Sequence, residues 1–193
     1  APAVREQLLP ALLEKRAAHG MTGAPIRLMV VGIPNVGKSS FINRMAQSKR
    51  AKVEDRPGVT RTKQWVKIGS NMELLDMPGV LWPKFDDQTV AQKLAFTGAI
   101  NDDVMDLEAL ACLLLQRLAV SYPKALEERY RMTDLQAIQE DGFAMLELLG
   151  RKRGMLISGG EVNTERAAIT LLDEFRSGKL GRITLELPEQ EAL

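Results

Sequence analysis

The run Gly32-Ile33-Pro34-Asn35-Val36-Gly37-Lys38-Ser39 constrains this chain more than any other feature, because two glycines separated by four residues and followed by Lys-Ser form the phosphate-loop pattern. The pattern carries chemistry only between a strand and a helix. Residues 26–31 carry four β-branched or long aliphatic side chains on either side of Met29 and end at Gly32, which predicts a buried strand, and from residue 39 to 46 the spacing becomes helical. In that setting the glycines let backbone N–H groups curl around a β-phosphate. Lys38 can then reach the β- and γ-phosphates, and the Ser39 hydroxyl can ligate magnesium. A helix starting near Lys38 aims its positive end at the same anion. The expected class is α/β with a P-loop core.

A second element is Leu74-Leu75-Asp76-Met77-Pro78-Gly79, an apolar strand that ends in a carboxylate. Asp76 is placed to hold the magnesium shell, and Gly79 to donate its N–H to the γ-phosphate. Residues 64–68 and 72–75 predict two strands joined at Gly69-Ser70-Asn71, a composition suited to an antiparallel hairpin. Between the two motifs lies Asp55-Arg56-Pro57-Gly58-Val59-Thr60-Arg61-Thr62, turn-rich and bearing two hydroxyls where a switch loop would sit. Thr60 is the first choice for closing over magnesium and the γ-phosphate, and Thr62 the second. An ordinary surface loop is the alternative.

With these motifs the chain resembles the circularly permuted GTPases, most closely the ribosome biogenesis GTPase A or YlqF family. The resemblance rests on Gly32 to Ser40 followed by Phe41-Ile42-Asn43-Arg44, on Asp55 to Thr60, on Gln64-Trp65, on Leu74 to Gly79, and on Val80-Leu81-Trp82-Pro83-Lys84-Phe85. It continues through Thr97-Gly98-Ala99-Ile100, Tyr122-Pro123 and Gly154 to Gly160, and so covers nearly the whole chain. It implies GTP and GDP as ligands with Mg2+, hydrolysis of GTP to GDP and phosphate, and a role in assembling the large ribosomal subunit. The implied partners are the rRNA and ribosomal proteins of its precursor. Pro34, Asn35, Val36, Gly37, Lys38, Ser39 and Ser40, with Thr60 and Gly79, are the candidate nucleotide-binding residues. Ser39, Thr60 and Asp76 are the candidate magnesium residues, and Lys38, Thr60, Gly79 and Asn35 the candidate catalytic ones.

Two departures matter. No Asn-Lys-x-Asp guanine reader occurs, the asparagines standing at 35, 43, 71, 101 and 163 in other contexts. The resemblance implies that this motif lies upstream of the phosphate loop, on a segment this chain lacks, so the core is expected to be incomplete at its N-terminal side. Guanine preference is thus inherited from the resemblance. In addition Val80 occupies the position directly after the Asp-x-x-Gly glycine, where Ras-like enzymes carry the water-orienting glutamine. Valine offers no hydrogen bond, so hydrolysis is expected to be slow until a partner supplies one. A nucleotide binder that never hydrolyses is the alternative. Asn35 has two readings: the resemblance implies a ligand for K+ beside the phosphates, and side-chain bonds that support the loop would serve equally.

Past Pro83 the pattern is almost wholly helical, predicting a partial permuted GTPase domain over residues 1–86 and an all-α domain over 87–193. Helices are expected at 89–97, 107–121, 124–130, 135–149 and 164–177, with Gly150 as a separator. A further helix is expected within 3–19, turned or kinked at Pro10. The formal charge is only +1, yet residues 44–63 hold seven basic and two acidic side chains, a net +5 around the expected switch. That patch suits RNA phosphates, a solvated face being the alternative. The resemblance implies that the helical domain docks on rRNA, although residues 151–193 carry seven basic and seven acidic side chains. Trp65 and Trp82 are read as core packing in preference to base stacking.

The single Cys112 cannot form an intrachain bridge, and one histidine leaves no zinc cluster, which suits a reducing interior. The apolar stretches fall short of the roughly 20 residues that span a bilayer. The chain starts without Met or signal-peptide pattern, as a processed chain or excised fragment would. A monomer in the cytoplasm, or in the mitochondrial matrix of an organellar source, without stable membrane association is expected. Two rivals remain: a P-loop ATPase or kinase, and a non-catalytic RNA-binding or structural module with a relic phosphate loop.

Overall fold

The structure, a computed structural model, describes residues 7, 9–21, 23, 25–46, 63–69, 72–81, 84–133 and 135–187. The chain forms two compact units, Ala1–Lys84 and Phe85–Leu193. All of the expected switch, residues 55–62 with Thr60 and Thr62, and most of the basic patch around it, together with Ser70, Asn71, Trp82 and Pro83, lie outside the described residues.

The first unit holds α1 (Leu9–Ala18), β1 (Ile26–Val30), α2 (Lys38–Ala46), β2 (Gln64–Ile68) and β3 (Met72–Asp76). The strands form one sheet in the order β1-β3-β2. β1 runs parallel to β3, with Val30 opposite Asp76, and β2 runs antiparallel to β3, with Gln64 opposite Asp76. Because side chains alternate across a strand, Ile26, Leu28, Val30, Val66, Ile68, Met72 and Leu74 share one face. α2 covers that face with Ile42 and Met45, which are buried with Val66, Ile68, Met72 and Leu74, while Leu28 and Val30 are half-buried. The opposite face carries Arg27, Trp65, Lys67 and Glu73, and Trp65 is half exposed beneath the Arg27 guanidinium, 5.1 Å from its ring centre. This corrects the expectation that Trp65 packs in the core: its odd position in β2 turns it away from α2.

The second unit contains α3 (Gln88–Phe96), α4 (Leu107–Ser121), α5 (Pro123–Tyr130), α6 (Gly142–Lys152) and α7 (Thr164–Arg176). α4 is its centre, burying Leu110, Ala111, Leu114, Leu115, Leu118 and Ala119 against α6 and α7. Four helices open on an Asp or Asn whose side chain accepts a backbone N–H: Asp87, Asp106, Asp141 and Asn163. α5 starts instead on Pro123, whose missing N–H costs nothing there.

The expected helix over 135–149 is two elements. A single 3₁₀ turn spans Leu135–Ala137, and α6 begins only after the Asp141 cap. Gly150 does not separate neighbours either, since α6 continues to Lys152. A Cβ at Gly150 would lie 2.3 Å from Val162 Cγ1, so the glycine is what lets the chain before α7 close on α6.

Glu174 on α7 is the buried charge of this unit among the described residues, only 5% exposed. Arg129 Nε meets its Oε2 at 2.9 Å, and Arg129 Nη2 and Arg153 Nη2 meet its Oε1 at 2.5 and 2.6 Å. The Tyr130 hydroxyl lies buried beside this carboxylate, outside hydrogen-bonding geometry. The Arg129 hydrogen bonds, assisted by the Arg153 charge, overcome the cost of burial and hold the Glu174 carboxyl at about 2 against an ordinary 4.5. A depressed carboxyl stabilises the fold fully above its unfolded pKa and loses that contribution as pH falls through the folded one. Glu174→Gln is therefore expected to lower unfolding free energy by about 3 kcal/mol at pH 7. The gap between the two proteins should close as pH falls from 4.5 towards 2. Urea unfolding across that range, followed by circular dichroism, measures it; a gap independent of pH would refute the ion-network account.

Candidate functional site

The parallel pairing of β1 with β3 sets the site, because it ends both strands at the same edge of the sheet, Val30 beside Asp76. From β1 the chain turns through residues 31–37 into α2, with Asn35 and Gly37 both at positive φ, 58° and 86°. Asn35 is one of two non-glycine residues among those described to adopt this backbone. Asn35, Val36, Gly37 and Ser40 are exposed around the turn, Pro34 is half-buried, and Lys38 and Ser39 open α2. Pro34 has no N–H to give a phosphate, so its contribution is to the shape of the loop.

Lys38 folds back over the loop, its Nζ donating to the Ile33 carbonyl at 2.7 Å. Burial pushes its pKa down, and the negative charge of Asp76 opposes that. Asp76 is fully buried at the end of β3. Its Oδ2 accepts from Ser39 Oγ at 3.0 Å and from Gln64 Nε2 at 3.3 Å, whereas Oδ1 has no hydrogen-bond partner among the described residues.

Beyond β3 the chain passes directly against the loop. A Cβ on Gly79 would stand 2.5 Å from both Cα and N of Pro34. The structure thus brings Lys38, Ser39, Asp76 and Gly79 to one place. Val80 next to it is 71% exposed and has no polar atom to offer.

Magnesium prefers few protein ligands, all oxygen, and retains much of its water. A serine hydroxyl beside a carboxylate with an orphaned buried oxygen fits that preference. Among the described residues no group of three or more His, Cys, Asp or Glu could hold a metal instead.

Gln64 is the site residue that motif reading missed. The signal was present, because a hairpin turning through 69–71 that sets Ile68 opposite Met72 must set Gln64 opposite Asp76. In the helical unit two of the seven basic side chains counted over 151–193 serve the fold. Arg176 binds Asp102 at 2.7 and 2.8 Å and the carbonyls of Phe96 and Ala95 at 3.0 and 2.9 Å, while Arg153 binds Glu174. No helix among the described residues is long and apolar enough to cross a membrane.

Residues 27–141 match the family model described as 50S ribosome-binding GTPase. The chain is 45% identical over 177 residues to ribosome biogenesis GTPase A of Bacillus cereus, covering 92% of this chain and 59% of that protein. It is likewise 45% identical over 188 residues to the Bacillus licheniformis protein of that name, covering 97% and 65%. Among solved structures it resembles a GNP-bound YlqF from T. maritima, with a TM-score of 0.53 at 27% identity, covering 93% of this chain and 65% of that one. A GDP-bound structure of TM YlqF gives a TM-score of 0.55 at 25% identity over 94% of this chain and 67% of that one. The chain therefore spans about three fifths of the length of the two Bacillus relatives.

The contact between Gly79 and Pro34 is open to a direct test. Gly79→Ala should push Pro34 and the loop from their present positions and weaken nucleoside diphosphate binding tenfold or more in the full-length protein, about 1.4 kcal/mol. Equilibrium titration with a fluorescent GDP reads this out, and an unchanged affinity would show that the approach is not part of the binding geometry.

Proposed function

We propose that this chain, which belongs to the 50S ribosome-binding GTPase family, provides the phosphate site and helical domain of a GTPase acting in assembly of the large ribosomal subunit. The observation that carries the reading is the meeting of Lys38, the Ser39–Asp76 pair and Gly79 at one sheet edge. Two strong phosphate-site motifs converge there, and nothing in the geometry favours a kinase or a relic loop.

The residues divide the work by their chemistry. Backbone N–H groups of the loop and the start of α2 cradle the phosphates, and Lys38 exchanges the Ile33 carbonyl for β- and γ-phosphate oxygens. Ser39 and Asp76, with Thr60 from the switch, are the residues assigned to magnesium. When bound, the ion neutralises charge on the β- and γ-phosphates. Gly79 offers its N–H to the γ-phosphate, so triphosphate and diphosphate states differ in what holds this segment to the loop. That difference is the switch.

Val80 cannot orient water, so basal turnover is slow, and contact with the pre-ribosomal particle completes the arrangement. Asn35 is assigned to a potassium ion beside the phosphates, with its backbone already turned to positive φ. Residues 1–86 form the nucleotide domain, and the helical domain from residue 87 onward docks on rRNA and ribosomal proteins. The protein is proposed to act as a cytoplasmic monomer.

Lys38→Ala removes the charge facing two phosphates and should cut GTP binding or turnover at least tenfold, about 1.4 kcal/mol or more. Unchanged binding and turnover in the full-length protein would remove the phosphate-site assignment. Purified large subunits should raise turnover by about tenfold, a barrier reduction of about 1.4 kcal/mol. Reversing Arg56 and Arg61 to Glu should reduce that stimulation and weaken co-sedimentation with the particles. Equal stimulation of native and reversed proteins would assign docking to the helical domain alone.

A further inference from the structure

Gln64 stands where β2 begins, half-buried and opposite Asp76 in the antiparallel register. Its side chain lies on the face covered by α2, the same face as Asp76. An ionised carboxylate only accepts hydrogen bonds, so the amide must present its nitrogen, and Nε2 lies 3.3 Å from Asp76 Oδ2. The same oxygen takes the Ser39 hydroxyl at 3.0 Å.

We propose that Gln64 is a positioning residue, fixing the Asp76 carboxylate so that Oδ1 is the oxygen left for the hydration shell of magnesium. The inference rests on the reading of this site as a magnesium-dependent nucleotide site. Rotation about the last bond of an Asp side chain is soft, so one hydrogen bond at one oxygen leaves the carboxylate plane free to turn. Donors from two different elements, α2 and β2, remove that freedom. They also both choose Oδ2. The other oxygen is buried and unpartnered among the described residues, an arrangement whose desolvation cost a ligand would relieve.

The two donors are not equivalent. Ser39 is itself assigned to the cation, so its hydroxyl changes surroundings whenever the ion enters or leaves. Gln64 is assigned to no ligand and can hold Asp76 in both states. Outer partners of this kind orient the groups that face a metal, and losing one costs on the order of tenfold or more in metal affinity.

The test titrates Mg2+ into the GDP-bound full-length protein by calorimetry and measures GDP affinity separately in excess chelator. Gln64→Met keeps the length of the side chain and removes the donor. It should weaken Mg2+ binding about tenfold while leaving GDP affinity in chelator within about twofold. Gln64→Asn, whose amide is one methylene too short to make the bond, should do the same and stands in if the Met variant does not fold. Urea unfolding without magnesium checks folding of both. Wild-type Mg2+ affinity in either folded variant, alongside loss in Asp76→Asn, would overturn the role of Gln64 and leave the site reading intact. An equal loss of GDP affinity with and without magnesium would overturn it too, in favour of a purely structural residue. If the native protein gains no GDP affinity from Mg2+, the site reading itself fails and takes this inference with it.

Discussion

The parallel pairing of β1 with β3 is the constraint from which the first unit follows. Parallel neighbours cannot be joined by a tight turn, so the chain must leave the sheet, and α2 is the part of that crossover packed on it. The crossover has to begin where β1 ends, beside Asp76, which places the loop and the start of α2 at the carboxylate. Ile42 and Met45 then anchor α2 to the even-numbered side chains of all three strands. Substitutions in that cluster would therefore disturb Ser39 and Lys38 without touching either. β2, added antiparallel on the other side of β3, brings Gln64 to the same edge.

Among the described residues each unit buries one carboxylate, and the contrast between them separates structure from chemistry. Glu174 has both oxygens engaged by guanidinium groups, and its acidity is strongly raised by them. A carboxylate compensated this fully has nothing left to offer a ligand. Asp76 is equally enclosed but receives only two uncharged donors, both on one oxygen. Leaving the second acceptor unpaired in a buried position is unfavourable unless something arrives to use it. The half-satisfied carboxylate, and not the better-bonded one, is accordingly the residue to connect with a cation.

The parts of this architecture legible in the sequence were those governed by local rules. The strand before the phosphate loop, the helix after it and the hairpin through Gly69 all follow from short-range period and turn chemistry. The errors have three causes: a local cap, a close approach from elsewhere in the chain, and strand parity. The apolar spacing of 135–149 runs through Asp141 as if it were an ordinary helical residue, while its side chain caps α6 and starts the helix there. Gly150 looked like a stop because a glycine usually weakens a helix, and only the approach of Val162 explains it. Trp65 was assigned to the core by residue type, whereas its parity in β2 puts it outside. Lys38, Ser39, Asp76 and Gly79 stand in motifs with an assigned chemistry, whereas Gln64 is read only within the Gln64-Trp65 resemblance, with no role attached. It enters the site through strand register, a property of two segments together.

What the described residues can do chemically also bears on what they leave to others. In the proposed reading, Lys38, the loop amides and the Ser39–Asp76 pair all address phosphate or cation charge present before any bond breaks. Contacts that hold ground state and transition state alike deepen binding without lowering the chemical barrier. Acceleration needs a group that acts on the attacking water, and the side chain beside Gly79 in the chain is an exposed, wholly apolar valine. A site composed in this way favours a long-lived bound state. In the proposed reading that suits a switch whose resetting is governed by whatever orders the missing group. The exposure of Val80 fits that reading: among the described residues it buries little of its side chain, which leaves it open to an incoming surface.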